Sequence, residues 1–389
     1  MISHNKVNSN VRCSVYPGRD GFTEYFFVIT CRDKKDFSYI LNDLEKSLRH
    51  AVSEFDIPVE SCVFSRFYLS DIANQENILR NSTVYNSLSC SSRSLIEQPP
   101  VDGKVTLLTY HLSPVSLYRP LKKIRGSGEE NLFLKTQNYS LLYTVNSTAP
   151  APGKPSVQTE KIFRKYKKNI SLRKMTLLRN TIRTWIYVRD IDNNYMKMSD
   201  SRKRLFRQEG LNFRTRYIAS TGIEARMNNH SSLVSMDAIS LSGIDREQIV
   251  SMHAPGKMGS THDYGVTFER GTRVRFGDRS HLYISGTASI NTAGNILHLY
   301  DPEGQARRTI KNIRALLSAQ GAGFMDVAYM IVYLRNTGDA SVVSKVVTES
   351  VPGNIPLVFV QAAVCRPGWL VEIECVAVKP DKNGFKPFA

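Results

Sequence analysis

The stretch Val364 to Val378, VCRPGWLVEIECVAV, places a carboxylate, Glu372, between Val371 and Ile373 in a run that otherwise reads as a buried strand. Leu370, Val376 and Val378 extend the apolar pattern, and Pro367 and Gly368 bound it, as expected of a core strand. A carboxylate in such a place must be paired, hydrogen-bonded or protonated, and burial raises its pKa toward the range useful for proton transfer. The competing reading puts Glu372 and Glu374, two residues on, together on the wet face of a half-exposed strand.

Working outward, the same kind of strand closes two earlier segments. EYFFVIT at 24–30 is followed by an amphipathic helix carrying Ile40, Leu41, Leu44 and Leu48, then by CVFSRFYLSD ending at Asp71 and by KVTLLTYHL. The order recurs in YSLLYTV at 139–145, a helix around Ile162, Phe163 and Tyr166, TIRTWIYVRD ending at Asp190, a short helix through Leu205 and Phe206, YIASTGIEA and SLVSMDAISL. A third pass runs through HLYISGTASI, the helix GQARRTIKNIRALLSAQG with Ile310, Ile313, Leu316 and Leu317 on one face, VAYMIVYLRNTGD and the stretch quoted above. The pattern predicts an α+β fold of three repeats, spanning 1–118, 130–250 and 264–389, each a sheet covered on one face by helices. Their bare faces bury one another around a pseudo-threefold axis, with clefts between neighbours. Superposing the closing strands on Val105, Val234 and Val371 aligns Thr106, Ser235 and Glu372. Only the third copy has a carboxylate there, so the fold does not require one, and Glu372 becomes a candidate site residue. The strand ends at Tyr68, Tyr187 and Tyr333 read as structural positions.

The 389 residues are 41% hydrophobic and carry a net charge of +17. No 18-residue apolar run or apolar signal core occurs, which predicts no membrane partner and a cytoplasmic protein. The six cysteines show neither C-x-x-C spacing nor a His partner, arguing against a zinc site or a disulfide framework. Residues 161–216 hold 17 Lys and Arg against 4 Asp and Glu. Such a window reads as a solvated helical face, as an attractor of a small anionic substrate, or as a nucleic-acid surface. His253 and His262 lack metal or triad spacing and read as loop residues.

YISGTASI, NIRALLSAQG and CRPGWLVEIECVAV resemble the YjgF/RidA superfamily, the chorismate-mutase-like fold whose single domains form homotrimers with ligand clefts at the interfaces. Simple imine-hydrolysing members carry an arginine on the strand before the closing one, and Val358 and Ser220 stand there here, which speaks against imine deamination. Within that superfamily the chain resembles the chorismatase family in YGVTFERG (264–271), SGTASI (285–290), STGIEA (220–225) and the CRP...LVEIE ending. The resemblance implies pyruvate release from the enolpyruvyl group of chorismate, without cofactor or metal, giving a dihydroxycyclohexadiene or hydroxybenzoate product. It also implies Glu372 as the acid that protonates the methylene carbon.

A dicarboxylate substrate needs fixed cations, for which guanidinium forks suit best. Arg216 and Tyr217, before the STGIEA strand, and Arg270, in FERG, are the expected substrate ligands. Gly286, Thr287 and Ala288 would let a ring approach the backbone. At Cys365 the resemblance implies that side-chain size helps select between hydrolysis and aromatisation. No base stands near Thr287 in sequence, so it is not a nucleophile candidate. A non-enzymatic YjgF-like protein that binds a small molecule, or RNA through 161–216, is the alternative. With three units in one chain, the expected assembly is a monomer or weak dimer.

Overall fold

In a computed structural model that describes residues 2–388 except 19–20, 33–34, 115–120, 126–129, 151, 228, 230, 260 and 262–264, three six-stranded sheets follow one another along the chain. His262 and Tyr264, singled out above, lie outside the described residues. The first unit comprises β1 (Ser3–Lys6), β2 (Val11–Tyr16), β3 (Phe22–Thr30), α1 (Phe37–Glu54), β4 (Cys62–Leu69), α2 (Ile72–Arg80), α3 (Thr83–Ser87), β5 (Ser92–Glu97) and β6 (Val105–Pro114). The second comprises β7 (Lys122–Ile124), β8 (Leu132–Lys135), β9 (Ser140–Thr148), α4 (Pro155–Ser171), α5 (Leu177–Asn180), β10 (Thr181–Val188), α6 (Ile191–Gln208), β11 (Ala219–Glu224) and β12 (Val234–Ser242). The third comprises β13 (Ile249–Ser251), β14 (Gly271–Arg275), β15 (Arg279–Ala288), α7 (Pro302–Ser318), β16 (Val327–Leu334), α8 (Ala340–Ser350), β17 (Leu357–Gln361) and β18 (Val371–Pro380).

The spatial orders are β1-β2-β3-β6-β4-β5, β7-β8-β9-β12-β10-β11 and β13-β14-β15-β18-β16-β17, one topology used three times. In each sheet the last pair is parallel, joined by a helical crossover, and the other pairs are antiparallel. The closing strands start at Val105, Val234 and Val371, paired with Leu69, Val188 and Leu334. Thr106, Ser235 and Glu372 then lie opposite Tyr68, Tyr187 and Tyr333, so the sequence alignment is also a structural one.

The helices cover the outer faces. α7 starts where the Asp301 side chain accepts from the Gly304 N–H at 2.9 Å and Pro302 fits the first turn. It buries Ile310, Ile313, Leu316 and Leu317 on the sheet, the face read from the sequence. Two features differ from expectation. Each unit opens with a three-strand meander where one strand was expected, because short, half-exposed segments such as SHNK and KKI carry no apolar signal. The short helix through Leu205 and Phe206 is the 18-residue α6, whose buried face includes Ser199, Ser201 and Arg202 and so hides its period. It lies in the basic window 161–216, whose Arg183 and Arg202 are also buried, so that window is only partly a solvated surface. Among the described residues no helix is long and apolar enough to cross a membrane.

The inner sheet faces share one core, in which Tyr68, Tyr187 and Tyr333 are buried. Three buried ion pairs bind unit to unit. Arg66 of the first holds Asp237 of the second at 3.0 Å, Arg183 of the second holds Glu374 of the third at 2.7 Å, and Arg279 of the third holds Glu24 of the first at 2.6 Å. Further donors complete each carboxylate. Ser94 Oγ and the Asn146 N–H reach Asp237 at 2.5 and 2.9 Å, Trp185 Nε1 donates to Glu374 at 2.6 Å, and Tyr110 donates to Glu24 at 2.7 Å. Burial pushes the Glu24 carboxyl up, but His281 and Arg279 more than reverse this and hold it at about 2. Removing one partner of such a pair strands the other in the core. Asp237→Ala should therefore destabilise the protein by about 3–5 kcal/mol in denaturant unfolding, whereas Glu303→Ala, which breaks the exposed Arg307–Glu303 pair, should cost less than about 1 kcal/mol.

Candidate active site

Glu372 and Glu374 point to the same side of β18, into the interface with the second unit, and both are buried. This rules out the wet-face reading. The two carboxylates nevertheless have opposite surroundings. Glu374 accepts from Arg183 and Trp185 and from the Thr221 hydroxyl. Glu372 accepts no hydrogen bond among the described residues and borders a cavity of about 580 Å³. Burial, then the charge of Glu374, pushes the Glu372 carboxyl up to about 8 against the opposing pull of Arg183 and Arg270. A carboxyl in this state is protonated at neutral pH and free to donate.

The backbone opposite makes room for it. β15 bulges against β18 between Ile284 and Thr287, and a Cβ added at Gly286 would lie 2.1 Å from Glu372 Oε1. The Gly286 N–H is tied to the Thr221 hydroxyl at 2.9 Å, which fixes the bulge to the neighbouring unit. Ala288 lies directly across from Glu372 in the register and lines the same cavity.

The second unit supplies the facing wall through Ser220 and Gly222 on β11 and Tyr195 and Arg202 on α6. Arg202 is fully buried, its ring neighbour being Phe206 at 5.9 Å, and its Nε and Nη2 have no hydrogen-bond partner among the described residues. A buried guanidinium with unused donors calls for an anionic group to complete it. Arg270 is also buried, with Phe268 at 5.6 Å, and Arg366 packs over Trp369 at 4.8 Å. The cleft therefore combines one neutral acid, three guanidiniums and the aromatic walls Phe268 and Trp369. Cys365 borders it as a thiol pushed up to about 12 by burial and by Glu372, so it is not a thiolate nucleophile.

Of the residues singled out in sequence, the cleft unites Glu372, Arg270, Gly286, Ala288 and Cys365. Three others lie elsewhere. Arg216 spends its guanidinium on the carbonyls of Leu178 and Thr181, at 2.7 and 2.6 Å, anchoring the turn before β10. Tyr217 contributes its N–H to Glu269 at 2.7 Å and is half-exposed outside the cavity. Thr287 follows the bulge with its hydroxyl turned back to the Ser285 carbonyl at 2.9 Å. Sequence reasoning missed Arg202, Tyr195, Phe268, Arg366 and Trp369. An arginine four residues before Phe206, on the same side of α6, was the one available signal. Among the described residues no cluster of His, Cys, Asp and Glu side chains could hold a metal, and His253 is exposed.

Comparison with known proteins now adds the class. Residues 274–379 match the family model of Endoribonuclease L-PSP, placing the third unit in that class of domain. Single-domain structures, RidA from the Antarctic bacterium Psychrobacter sp. (21% identity, TM-score 0.28, 33% of this chain and 98% of that one) and the Rid-family protein YyfA of Yersinia pestis (24%, 0.29, 33% and 98%), each match about a third of the chain. Over most of its length the chain is similar to a chorismatase, with a TM-score of 0.62 at 17% identity over 82% of this chain and 93% of that one. Its fold, three units of one topology in a single chain, is thus similar to that of a chorismatase.

Two measurements probe this geometry. Because the folded pKa of Glu372 lies above its unfolded value, its protonated form favours the fold below about pH 4.5, and that contribution is lost as pH rises through about 8. Relative to Glu372→Gln, wild-type stability should thus decline between those values, and parallel stability curves would show that the carboxyl is not so perturbed. Gly286→Ala should cost about 1–3 kcal/mol through overpacking against the carboxyl, and clearly less in a Glu372→Ala background, where equal losses would place the strain elsewhere.

Proposed function

We propose that this protein is a chorismatase-like enzyme that releases pyruvate from chorismate or a related enolpyruvyl cyclohexadiene carboxylate, giving a dihydroxycyclohexadiene or hydroxybenzoate. The observation that carries this reading is the buried Glu372 carboxyl, which accepts no hydrogen bond among the described residues and borders a cleft lined by three guanidiniums. A vinyl ether is cleaved by placing a proton on its methylene carbon, which leaves an oxocarbenium at the ether carbon. Glu372 supplies that proton, and the carboxylate left behind stabilises the adjacent cation. Water, or a hydroxyl of the substrate, adds to the ether carbon and returns a proton to Glu372. The hemiketal formed from water gives pyruvate as its hydroxyl loses a proton and the former ether bond breaks, the departing ring oxygen taking up a proton to leave the dihydroxycyclohexadiene. The cyclic ketal formed from a ring hydroxyl first breaks a ring C–O bond with loss of a ring proton, and the aromatic hemiketal so made collapses in the same way to pyruvate and hydroxybenzoate.

Arg202 and Arg270, buried on opposite sides of the cleft, with Arg366 beside Trp369, match the two carboxylates of such a substrate, while Phe268 and Trp369 suit a flat ring. The fold likeness to a chorismatase agrees with this chemistry. The three units that trimers gather from separate chains stand here in one, so the protein works as a monomer or weak dimer.

Incubation with chorismate and detection of pyruvate by a coupled dehydrogenase tests the reading. Folded protein giving no pyruvate above buffer would leave the non-catalytic, YjgF-like binding role. If pyruvate forms, Glu372→Gln should lower turnover by about 10² to 10⁴ with little change in ligand affinity, and Ser235→Ala, at the matching place in the second unit, should be nearly silent. Since the donor must start protonated, kcat/KM should fall as pH rises through about 8. A rate insensitive to Glu372→Gln removes the assignment.

A further inference from the structure

The threefold repeat creates three clefts, and the strand registers show what stands in each. In the cleft described above, Gly271 pairs with Ile284, which pairs with Cys375, and Arg270 precedes Gly271. In the first unit, Cys13 pairs with Phe27, which pairs with Thr109, the counterpart of Cys375, so Arg12 holds the place of Arg270. In the second unit Ala238, the counterpart of Cys375, pairs with Thr144, and Leu132 pairs with Tyr143, so position 131 faces Thr144 and Glu130, preceding it, falls at that place. The facing strand positions are Ser220 for the active cleft, Arg93 for the first–second cleft and Leu357 for the third–first cleft.

The first–second cleft is filled by the protein itself. Glu130 is bound by Arg80 and Tyr85, each at 2.6 Å, and by the Asn146 amide, so the carboxylate that belongs to the chain occupies the cations. The third–first cleft is open. It is a groove of about 830 Å³ continuous with solvent, and Thr106 replaces the acid while Arg12 keeps the guanidinium. Arg12 uses Nη1 on the carbonyls of Asn8 and Val11, at 3.0 and 3.3 Å, and makes no ion pair among the described residues. Burial and the neighbouring Arg32 both disfavour its charge, and Arg32 reaches its own carboxylate, Asp102, only at 3.6 Å on the surface. Arg12, Arg32 and Asp102 all line the cleft, so it carries one more positive charge than negative, an excess that a bound anion would balance. Thr30, Thr106, Ser344 and Thr348 add hydroxyls, and Ile355 and Leu357 an apolar wall.

We propose that the cleft between the third and first units is a second binding site for a small hydroxylated carboxylate, which it holds without turning it over. That turnover belongs to the other cleft rests on the function proposed above; occupancy of this one does not.

Equilibrium dialysis with labelled 3-hydroxybenzoate tests it. Wild type should bind two molecules per chain, Arg270→Gln one, and Arg270→Gln with Arg12→Gln none. Because Arg12 also braces β2, exposed Thr348 offers a gentler probe. In the Arg270→Gln background, Thr348→Glu should weaken the remaining site several-fold and Thr348→Lys tighten it by a similar factor. A folded Arg270→Gln protein that binds no probe at millimolar concentration overturns the proposal, and so does a remaining site indifferent to Arg12→Gln and to both Thr348 changes. If chorismate releases no pyruvate while Arg270→Gln retains its one site, the catalytic reading fails and this one stands.

Discussion

The architecture depends on three buried ion pairs, Arg66–Asp237, Arg183–Glu374 and Arg279–Glu24, each joining one unit to the next. Buried charges cost several kcal/mol of lost hydration apiece, and an apolar contact of the same shape would often serve stability as well. What the pairs add is register. A guanidinium must meet its carboxylate within hydrogen-bond distance, so neighbouring sheets cannot slide by one residue without stranding two charges in the core. This holds the clefts, which are spaces between sheets, to a fixed width.

The same constraint explains why the acid works as one. Glu374 takes up Arg183, Trp185 and Thr221, leaving Glu372, two residues away on the same strand face, with a negative neighbour and no donor of its own. The donors that satisfy one carboxylate leave the other to be pushed up. The two roles arise from a difference in partners alone, since chemistry and depth of burial are nearly shared.

Much of this was legible in the sequence. The closing strands announced themselves through β-branched runs, and their comparison isolated Glu372 because Thr106 and Ser235 fill the matching places. The edge strands were not legible, since short half-exposed segments carry no period. Arg202 was missed because small and polar residues share the buried face of α6, so its helix read as shorter than it is. Arg216 was chosen for its nearness to the β11 strand, but which way a side chain turns at a strand entry depends on carbonyls, here those of Leu178 and Thr181, that only the folded chain brings near.

The ring of pairs also has a consequence for the order of synthesis. Glu24 leaves the ribosome well before its partner Arg279, which follows more than two hundred residues later. His4 likewise bonds to the carbonyl of Val327 at 2.8 Å. Until the third unit emerges, Glu24 lacks its cation and the part of the first sheet that meets the third unit, such as Phe26 against Tyr329, stays uncovered, so the nascent chain carries exposed apolar surface even after two units are made. A homotrimer can draw its missing neighbours from finished subunits; this chain must wait for its own third unit.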